Sequence, residues 1–494
     1  TKKGSGRPTL FVEETLGSFE YQKTGFGGSG SLGPVDLSFS ASRESQDAYT
    51  TSKNIMYHNT GVDREDRLSA GLGWTFLPGH RVSFTYTGFD GEGIGLPDDF
   101  ANNDPNNYKD SEHTTMDLDY QGRLASEALA WQVRLFEGKT RRTDYDPNVS
   151  GSAPDYYLRS DQKGAQAQMT ASRANDHLTL GIDWVNYEVR SIYDAGDSTY
   201  DNPAAFVMAK KSLLDDRLIL SVGGRYDDYE VEGDQGQSVD DTNWSSSAGA
   251  SYKIGKTLVA RFNVAESFRM PTTEELYMYR DYGAWGIWSG NPDLSPEKSR
   301  TWEAGLDVKR GPVSAGATYF YSTFDDYITY EEGLPGQYTY ANLDGATLSG
   351  LEANLSWDLG ETFALESALR PFMSLTFLTD YTDEQNNRDL QYTSEWTLAG
   401  GIEYIHVESG LSSRFNVSYF SEQDINDYNG TGDTTLDSYA VADLSIAKDL
   451  LDWGNRGKLA IKGDIQNLFN QNYAAVQGYP MPGRALYISL KYTY

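Results

Sequence analysis

Apolar and polar residues alternate with a period of two through segment after segment of this 494-residue chain. Leu486, Ile488, Leu490, Tyr492 and Tyr494 share one parity, and Tyr487, Ser489, Lys491 and Thr493 the other. Val82, Phe84 and Tyr86 alternate with Ser83, Thr85 and Thr87. The same holds for Leu68–Phe76, Leu258–Val264 and Val313–Tyr321. Such alternation gives strands with one apolar face and one polar face. Lysines and arginines recur on the polar face, so that face is wet. No apolar run approaches the ~20 residues of a spanning helix. In lipid, however, a strand needs only every second residue apolar. A sheet in lipid must also close on itself, because hydrocarbon offers no partner to the N–H and C=O groups of an edge strand. The expected fold is therefore all-β: a transmembrane antiparallel β-barrel spanning 1–494.

The connections support this reading. Short turns such as Leu77–His80, Arg173–Asp176, Ile254–Lys256 and Glu408–Gly410 alternate with long segments at Arg43–Gly61, Asp90–Ser111, Met270–Glu297 and Asn470–Gly483. Alternating short periplasmic turns and long extracellular loops are the mark of an outer-membrane barrel, here with about 22 strands and both ends in the periplasm. A soluble propeller or solenoid would need a fixed repeat length, and none is present. Aromatic residues near strand ends suit the headgroup level.

Composition narrows the functional classes. The net charge of −31 argues against nucleic acid as a partner. The absence of cysteine removes thiolate metal sites and cysteine nucleophiles. Five scattered histidines give no hydrolytic constellation and no H-E-x-x-H, so an enzyme is not expected. Gly28-Ser29-Gly30-Ser31-Leu32-Gly33 matches a dinucleotide fingerprint, but it ends a strand at a turn and no helix follows to hold a pyrophosphate. Gly255-Lys256-Thr257 resembles the end of a P-loop, yet it too reads as a tight turn between strands.

Several segments resemble the TonB-dependent outer-membrane receptors of siderophores and cobalamin. Phe268-Arg269-Met270-Pro271, Glu275-Leu276-Tyr277 and Asn291–Ser299 resemble that family's paired boxes, continued by Trp302-Glu303-Ala304-Gly305. Leu348–Ala353 resembles a further barrel segment, and Asn467-Leu468-Phe469-Asn470, Tyr473 and Pro482-Gly483-Arg484 resemble the C-terminal signature. The resemblance covers most of the second half by motif and the first half by strand pattern. It implies a barrel in the bacterial outer membrane, among lipid and lipopolysaccharide. It also implies import of a scarce metal chelate, an iron-siderophore first, with cobalamin or haem as alternatives in the same family. Residues 1–7 resemble the junction where the family's N-terminal plug meets the barrel. The plug, through which TonB–ExbB–ExbD would act, is expected to lie outside this sequence. A plugless passive pore is the competing expectation, and an adhesin or enzyme built on a barrel is a third.

Candidate ligand residues cluster in the outer loops. Arg269, Tyr277, Tyr279, Tyr282, Trp285 and Trp288 crowd the segment between the boxes, where rigid aromatics with polar tips can grip a bulky chelate. Interface packing is the competing reading for them. Met56 and His58 lie in another long loop, and His113 follows a third. Haem receptors carry a histidine between the two boxes, and this chain has none there. Asp98, Asp99, Asp104 and Asp110, with neighbouring asparagines, offer oxygen donors of the kind calcium takes, although their spacing is not that of an EF-hand. An acidic outer surface favours a neutral or cationic chelate over a strongly anionic one.

Overall fold

The computed structural model describes the chain except for residues 1–3, 5, 102–103, 193–195, 235, 282, 284–285, 344 and 428–431. Its main sheet has 23 strands, one of which, Arg388–Asp389, is a two-residue attachment. The other 22 form a closed antiparallel barrel. They are β1 Thr9–Gly17, β2 Gln22–Leu32, β3 Val35–Gln46, β4 Val62–Leu77, β5 His80–Gly95, β6 Tyr108–Arg123, β7 Leu129–Tyr145 and β8 Tyr156–Arg173. Then follow β9 Asp176–Ser191, β10 Asp197–Leu213, β11 Leu218–Glu232, β12 Ser238–Ile254, β13 Leu258–Arg269, β14 Glu297–Arg310 and β15 Val313–Asp325. The last are β16 Ala346–Trp357, β17 Ala368–Asp383, β18 Trp396–His406, β19 Leu411–Phe420, β20 Tyr439–Asp452, β21 Lys458–Gln466 and β22 Ala485–Thr493.

Each strand pairs with the next, and β22 returns to β1 from Phe11↔Thr493 to Gly17↔Tyr487. The closure is polar on its lumenal side, where the Thr15 and Ser489 hydroxyls lie 2.8 Å apart and Lys491 pairs with Glu13 at 2.9 Å. Tyr494 completes it through backbone hydrogen bonds in both directions with Leu10. The expected strand number and the absence of an edge are both met.

Parity sorts the side chains as the sequence requires. Leu180, Ile182 and Trp184 of β9 are exposed on the outer wall, as are Leu68, Leu72 and Trp74 of β4 and Leu486, Ile488 and Leu490 of β22. The opposite parity lines the lumen with cross-strand ion pairs: Arg81–Asp36 at 2.9 Å, Arg225–Asp183 at 2.5 Å and Arg261–Asp307 at 2.8 Å. Among the described residues no helix is long and apolar enough to cross a membrane.

The inner turns are tight: Gly255-Lys256-Thr257 lies in one, and Gly28–Leu32 is the end of β2, leading into another at Gly33. Gly33 and Gly255 adopt positive φ, 61° and 68°, between strands, a conformation glycine takes without a Cβ clash. At the bulge between β16 and β17, a Cβ on Gly350 would sit 2.5 Å from the Phe377 carbonyl oxygen, so the backbones can approach only at glycine. Several connections depart from the length rule: among them, the outer 18–21 turn is short, and the inner 358–367 connection carries a helix, Leu359–Thr362, capped by Asp358.

Strands also run further outward than the sequence pattern indicates. β3 continues to Gln46, β5 to Gly95, and β6 begins at Tyr108, so the expected loops at 43–61 and 90–111 shrink to 47–61 and 96–107. His113 is therefore a mid-strand residue whose ring nitrogens face the Ser111 and Thr140 hydroxyls at 3.1 and 3.0 Å. Above the lipid both faces of a strand are wet. Apolar alternation lapses there, while ladder hydrogen bonds and ion pairs such as Arg43–Asp66 (2.7 Å) and Arg64–Asp90 (2.8 Å) persist.

Candidate ligand site at the outer mouth

The segment that holds the paired boxes folds into a brace. Thr272 caps the short helix α1, Thr273–Tyr277, in a reciprocal capping box with Glu275. Residues 279–281 and 287–289 form a hairpin, and 287–289 adds parallel to 337–339 of the next outer loop. An apolar cluster of Val231, Leu276, Met278, Leu294, Ile328 and Tyr340 joins these loops to β11. Asn291 donates to the Tyr340 carbonyl at 2.9 Å, and Asn342 accepts from the Ser295 N–H at 2.8 Å.

Arg269 is part of this brace. Its guanidinium donates twice to Glu297 (2.5 and 2.8 Å) and twice to Glu275 (2.9 and 3.0 Å). Those bonds occupy its planar fork of donors. Tyr277 donates to the Val231 carbonyl at 2.7 Å, and Trp288 stacks on Tyr338 at 4.6 Å. Of the aromatics expected to grip a ligand, Tyr279 stays well exposed. Tyr282 and Trp285 lie outside the described residues.

Met56 and His58 belong to a second loop assembly. Both are exposed, but Tyr57 between them is fully buried and donates to the Asp98 carbonyl. Tyr57 packs edge-on against Tyr49 and Phe100, joining loop 47–61 to loop 96–107. Loop 467–484 locks onto them through Tyr49 Oη to the Pro480 carbonyl (2.8 Å) and Asn470 Nδ2 to the Ser52 carbonyl (3.0 Å). Asn467, buried at φ 48°, turns this loop by donating to the Gln471 and Pro482 carbonyls and accepting from the Gln471 N–H. The C-terminal signature residues thus have a definite structural task.

Burial first, then the neighbouring Tyr473, pushes the Tyr49 phenol up to about 12. An unfolded tyrosine ionises near pH ~10. The fold favours the protonated phenol, so this stabilisation is complete below pH ~10 and is lost as pH rises toward about 12. A spin label at Lys53→Cys, the only thiol in the chain, should gain mobility across that interval. Adding Tyr49→Phe should flatten the change. An identical pH response in both proteins would refute the assignment.

The four aspartates proposed for calcium do not converge. Asp98 accepts from Asn107 Nδ2 (3.3 Å), Asp99 from the Ala101 N–H (2.9 Å), Asp104 from the Asn106 N–H (2.9 Å) and Asn148 Nδ2 (2.6 Å), and Asp110 from the Gly93 N–H (3.0 Å). Each carboxylate closes a local turn or bridges two loops. No group of three His, Asp or Glu residues suited to a metal occurs among the described residues. The donor set as folded does not fit calcium.

A different constellation faces the lumen at the outer mouth. Arg142 of β7 and Arg280 of the brace hairpin both lie over the ring of Tyr156, at 5.7 and 5.8 Å from its centroid. Arg142 is also held by Asp144, through bonds of 2.7 and 2.5 Å. One strand further round, Gln162 donates to the Tyr187 hydroxyl at 2.9 Å, Tyr187 packs against Tyr200 at 5.7 Å, and Asn202 donates to the Tyr200 hydroxyl at 2.9 Å. The wall of β7–β10 thus presents guanidinium groups, phenols and amides around a polar opening. This set can hold an oxygen-rich ligand by hydrogen bonds and cation–π contacts. Arg280 belongs to the segment between the boxes that the sequence marks out, whereas Arg142, Tyr156, Gln162, Tyr187, Tyr200 and Asn202 do not stand out in the sequence. The signal available for those six was parity: each lies on the lumenal face toward the outer end of its strand.

Comparison with known proteins bears on the whole chain. The family model described as TonB dependent receptor-like, beta-barrel matches residues 14–468. The siderophore receptor PirA of Acinetobacter baumannii superposes with a TM-score of 0.81 at 18% identity, covering 100% of this chain and 81% of its own. The ferric enterobactin receptor PfeA of Pseudomonas aeruginosa gives 0.81 at 18%, covering 100% and 82%. The copper transporter OprC gives 0.80 at 15%, covering 100% and 81%. At these identities the likeness concerns the fold.

Proposed function

Because this chain belongs to the TonB-dependent receptor β-barrel family of the bacterial outer membrane, we propose that it is the barrel of an active importer whose cargo is an iron-siderophore. The observation that carries this reading is the lumenal mouth where Arg142 and Arg280 flank Tyr156. Siderophore complexes are bulky and rich in oxygen acceptors, and a mouth of cations, phenols and amides offers them donors. The siderophore receptors among the structural relatives support the choice, and the copper transporter beside them shows that the fold alone does not select the cargo. In this reading a plug domain fills the lumen against the ion-paired wall, and TonB–ExbB–ExbD drives its movement.

The test is growth on iron-limited medium of a strain that lacks its own receptors and carries the intact gene. Ferric catecholates, ferric hydroxamates, haem and, in a cobalamin-requiring background, cobalamin are supplied one at a time. Rescue by a ferric siderophore is expected. Arg142→Ala with Arg280→Ala should raise the siderophore concentration needed by about tenfold, the equivalent of ~1.4 kcal/mol of lost contact. Rescue by cobalamin or haem alone, or by nothing in the panel, would overturn the proposal.

A further inference from the structure

The wall has one open seam, between the outer ends of β12 and β13. These strands pair only from Ile254↔Leu258 to Ser247↔Ala265. Above that row β12 runs on through Ser238–Ser246, roughly 30 Å of strand, paired among the described residues with β11 alone. β13 runs on through Glu266–Arg269, paired with β14 alone. The two ends part because β13 leans inward. The Phe268 ring stacks at 6.1 Å on Tyr229 of β11, which is buried on the lumenal face, and Arg269 is held in the brace by Glu275 and Glu297. At the foot of the resulting notch, Ser246 donates to Glu266 at 2.7 Å.

An exposed strand edge is a template for pairing with another chain, and proteins commonly guard it with lysine, proline or a bulge. Ser238–Ser246 contains neither lysine nor proline, and its register with β11 is unbroken. The Thr242 N–H is met by the carboxylate of its own neighbour Asp241, at 2.7 Å. The surroundings are anionic. Asp201, Glu230 and Asp240 are directly opposed on β10, β11 and β12, Asp228 and Glu232 flank Glu230 on the same face, and Asp241 is exposed beside them. None of these carboxylates forms an ion pair with a described residue. Cations on the flanking strands are turned to other partners: Arg190 to Asp197 at 3.6 Å and Arg300 to Glu266 at 2.5 Å, with Lys298 opposite Asp325. Trp244, exposed low on the edge with Tyr226 at 6.4 Å, adds an aromatic face.

We propose that this edge takes a basic, extended segment of another protein as an added strand along Ser238–Ser246. The segment's backbone supplies the ladder that β13 leaves unmade. Its cations relieve the opposed carboxylates, and one of them can lie over the Trp244 ring. A second copy of this chain fits the edge less well, because β12 paired with β12 brings two anionic tips together. The proposal does not depend on which chelate is carried.

The intact receptor in neutral detergent is titrated with a fluorescent peptide of alternating lysine and valine, with the same peptide carrying proline at every second valine, and with a glutamate–valine peptide. The lysine–valine peptide should bind about tenfold more tightly than either of the others, because proline removes ladder donors and glutamate reverses the charge. Asp240→Asn with Asp241→Asn should weaken its binding by about tenfold. Thr242→Cys, in a chain without cysteine, is then cross-linked to lysine–valine peptides carrying one cysteine at successive positions. Yields should alternate with a period of two, as roughly every second side chain of a strand shares a face. Misfolding cannot produce that alternation. Equal binding of the proline peptide, an unaffected aspartate pair or yields without alternation would each overturn the site. A disulfide joining two Thr242→Cys receptors in the absence of peptide would give the edge to a second copy and overturn it as well.

Discussion

Arginine at Ile182 is expected to destabilise the barrel by about 2–4 kcal/mol, the range for a cation at the mid-plane of a lipid-facing strand. Ile182 is 62% exposed on the outer wall of β9, between Leu180 and Trp184. Its ladder partners are Ala167 and Ala205, which cannot shield it from lipid. A guanidinium there must snorkel or thin the bilayer around it. The contrast is Ser247→Arg on β12, an exposed residue of the lumenal parity beside Gly223 and Ala265. Its cation would meet water and a carboxylate-rich wall, and the expected change is within about 0.5 kcal/mol. Reversible folding into lipid vesicles, followed through denaturant midpoints, compares the two. Similar losses would mean that the two parities do not face different solvents.

Arg269→Ala should open the loop brace while leaving the barrel closed. Arg269 is the shared cation of Glu275 and Glu297, whose side chains are 12% and 15% exposed. Removing it strands two carboxylates near each other. Glu297 would still accept from the Ile328 N–H, and Glu275 from the Thr272 N–H. Breaking a fully buried pair costs about 3–5 kcal/mol. Because the arginine itself is partly exposed, about 2 kcal/mol is expected, a roughly 30-fold rise in local opening. Amide hydrogen exchange should accelerate by that factor in residues 270–296 and 326–345, with the ladders of β1–β22 unchanged. Adding Glu297→Gln should restore part of the protection. Unchanged exchange in both loops would contradict the brace.

Much of the fold could be read from the sequence because lipid imposes a strict rule on the strands it touches. Leu486, Ile488 and Leu490 alternate because only their side of β22 meets hydrocarbon, and that parity is the observed one. Where lipid ends, the rule ends, and the outer reaches of β3, β5 and β6 therefore read as loops. The candidate site was much less visible, for a related reason. Motif residues such as Arg269, Asn291, Asn467 and Asn470 stand out by spacing, and the structure uses them to fold the outer loops. Arg142, Tyr156 and Arg280 come from β7, β8 and a loop more than 100 residues further on, and only barrel closure and loop folding bring them together. The same limit applied to Asp98, Asp99, Asp104 and Asp110, whose density suggested a metal, while among the described residues they form no group of three suited to one.

The central claim is energised import through this barrel. The direct measurement is accumulation of radiolabelled iron, supplied as the siderophore that rescues growth, in cells carrying the intact gene, with and without a functional TonB and a proton-motive force. The account predicts accumulation that stops when either is removed and binding at the cell surface that persists. Equal accumulation under all conditions would contradict it and identify a passive pore.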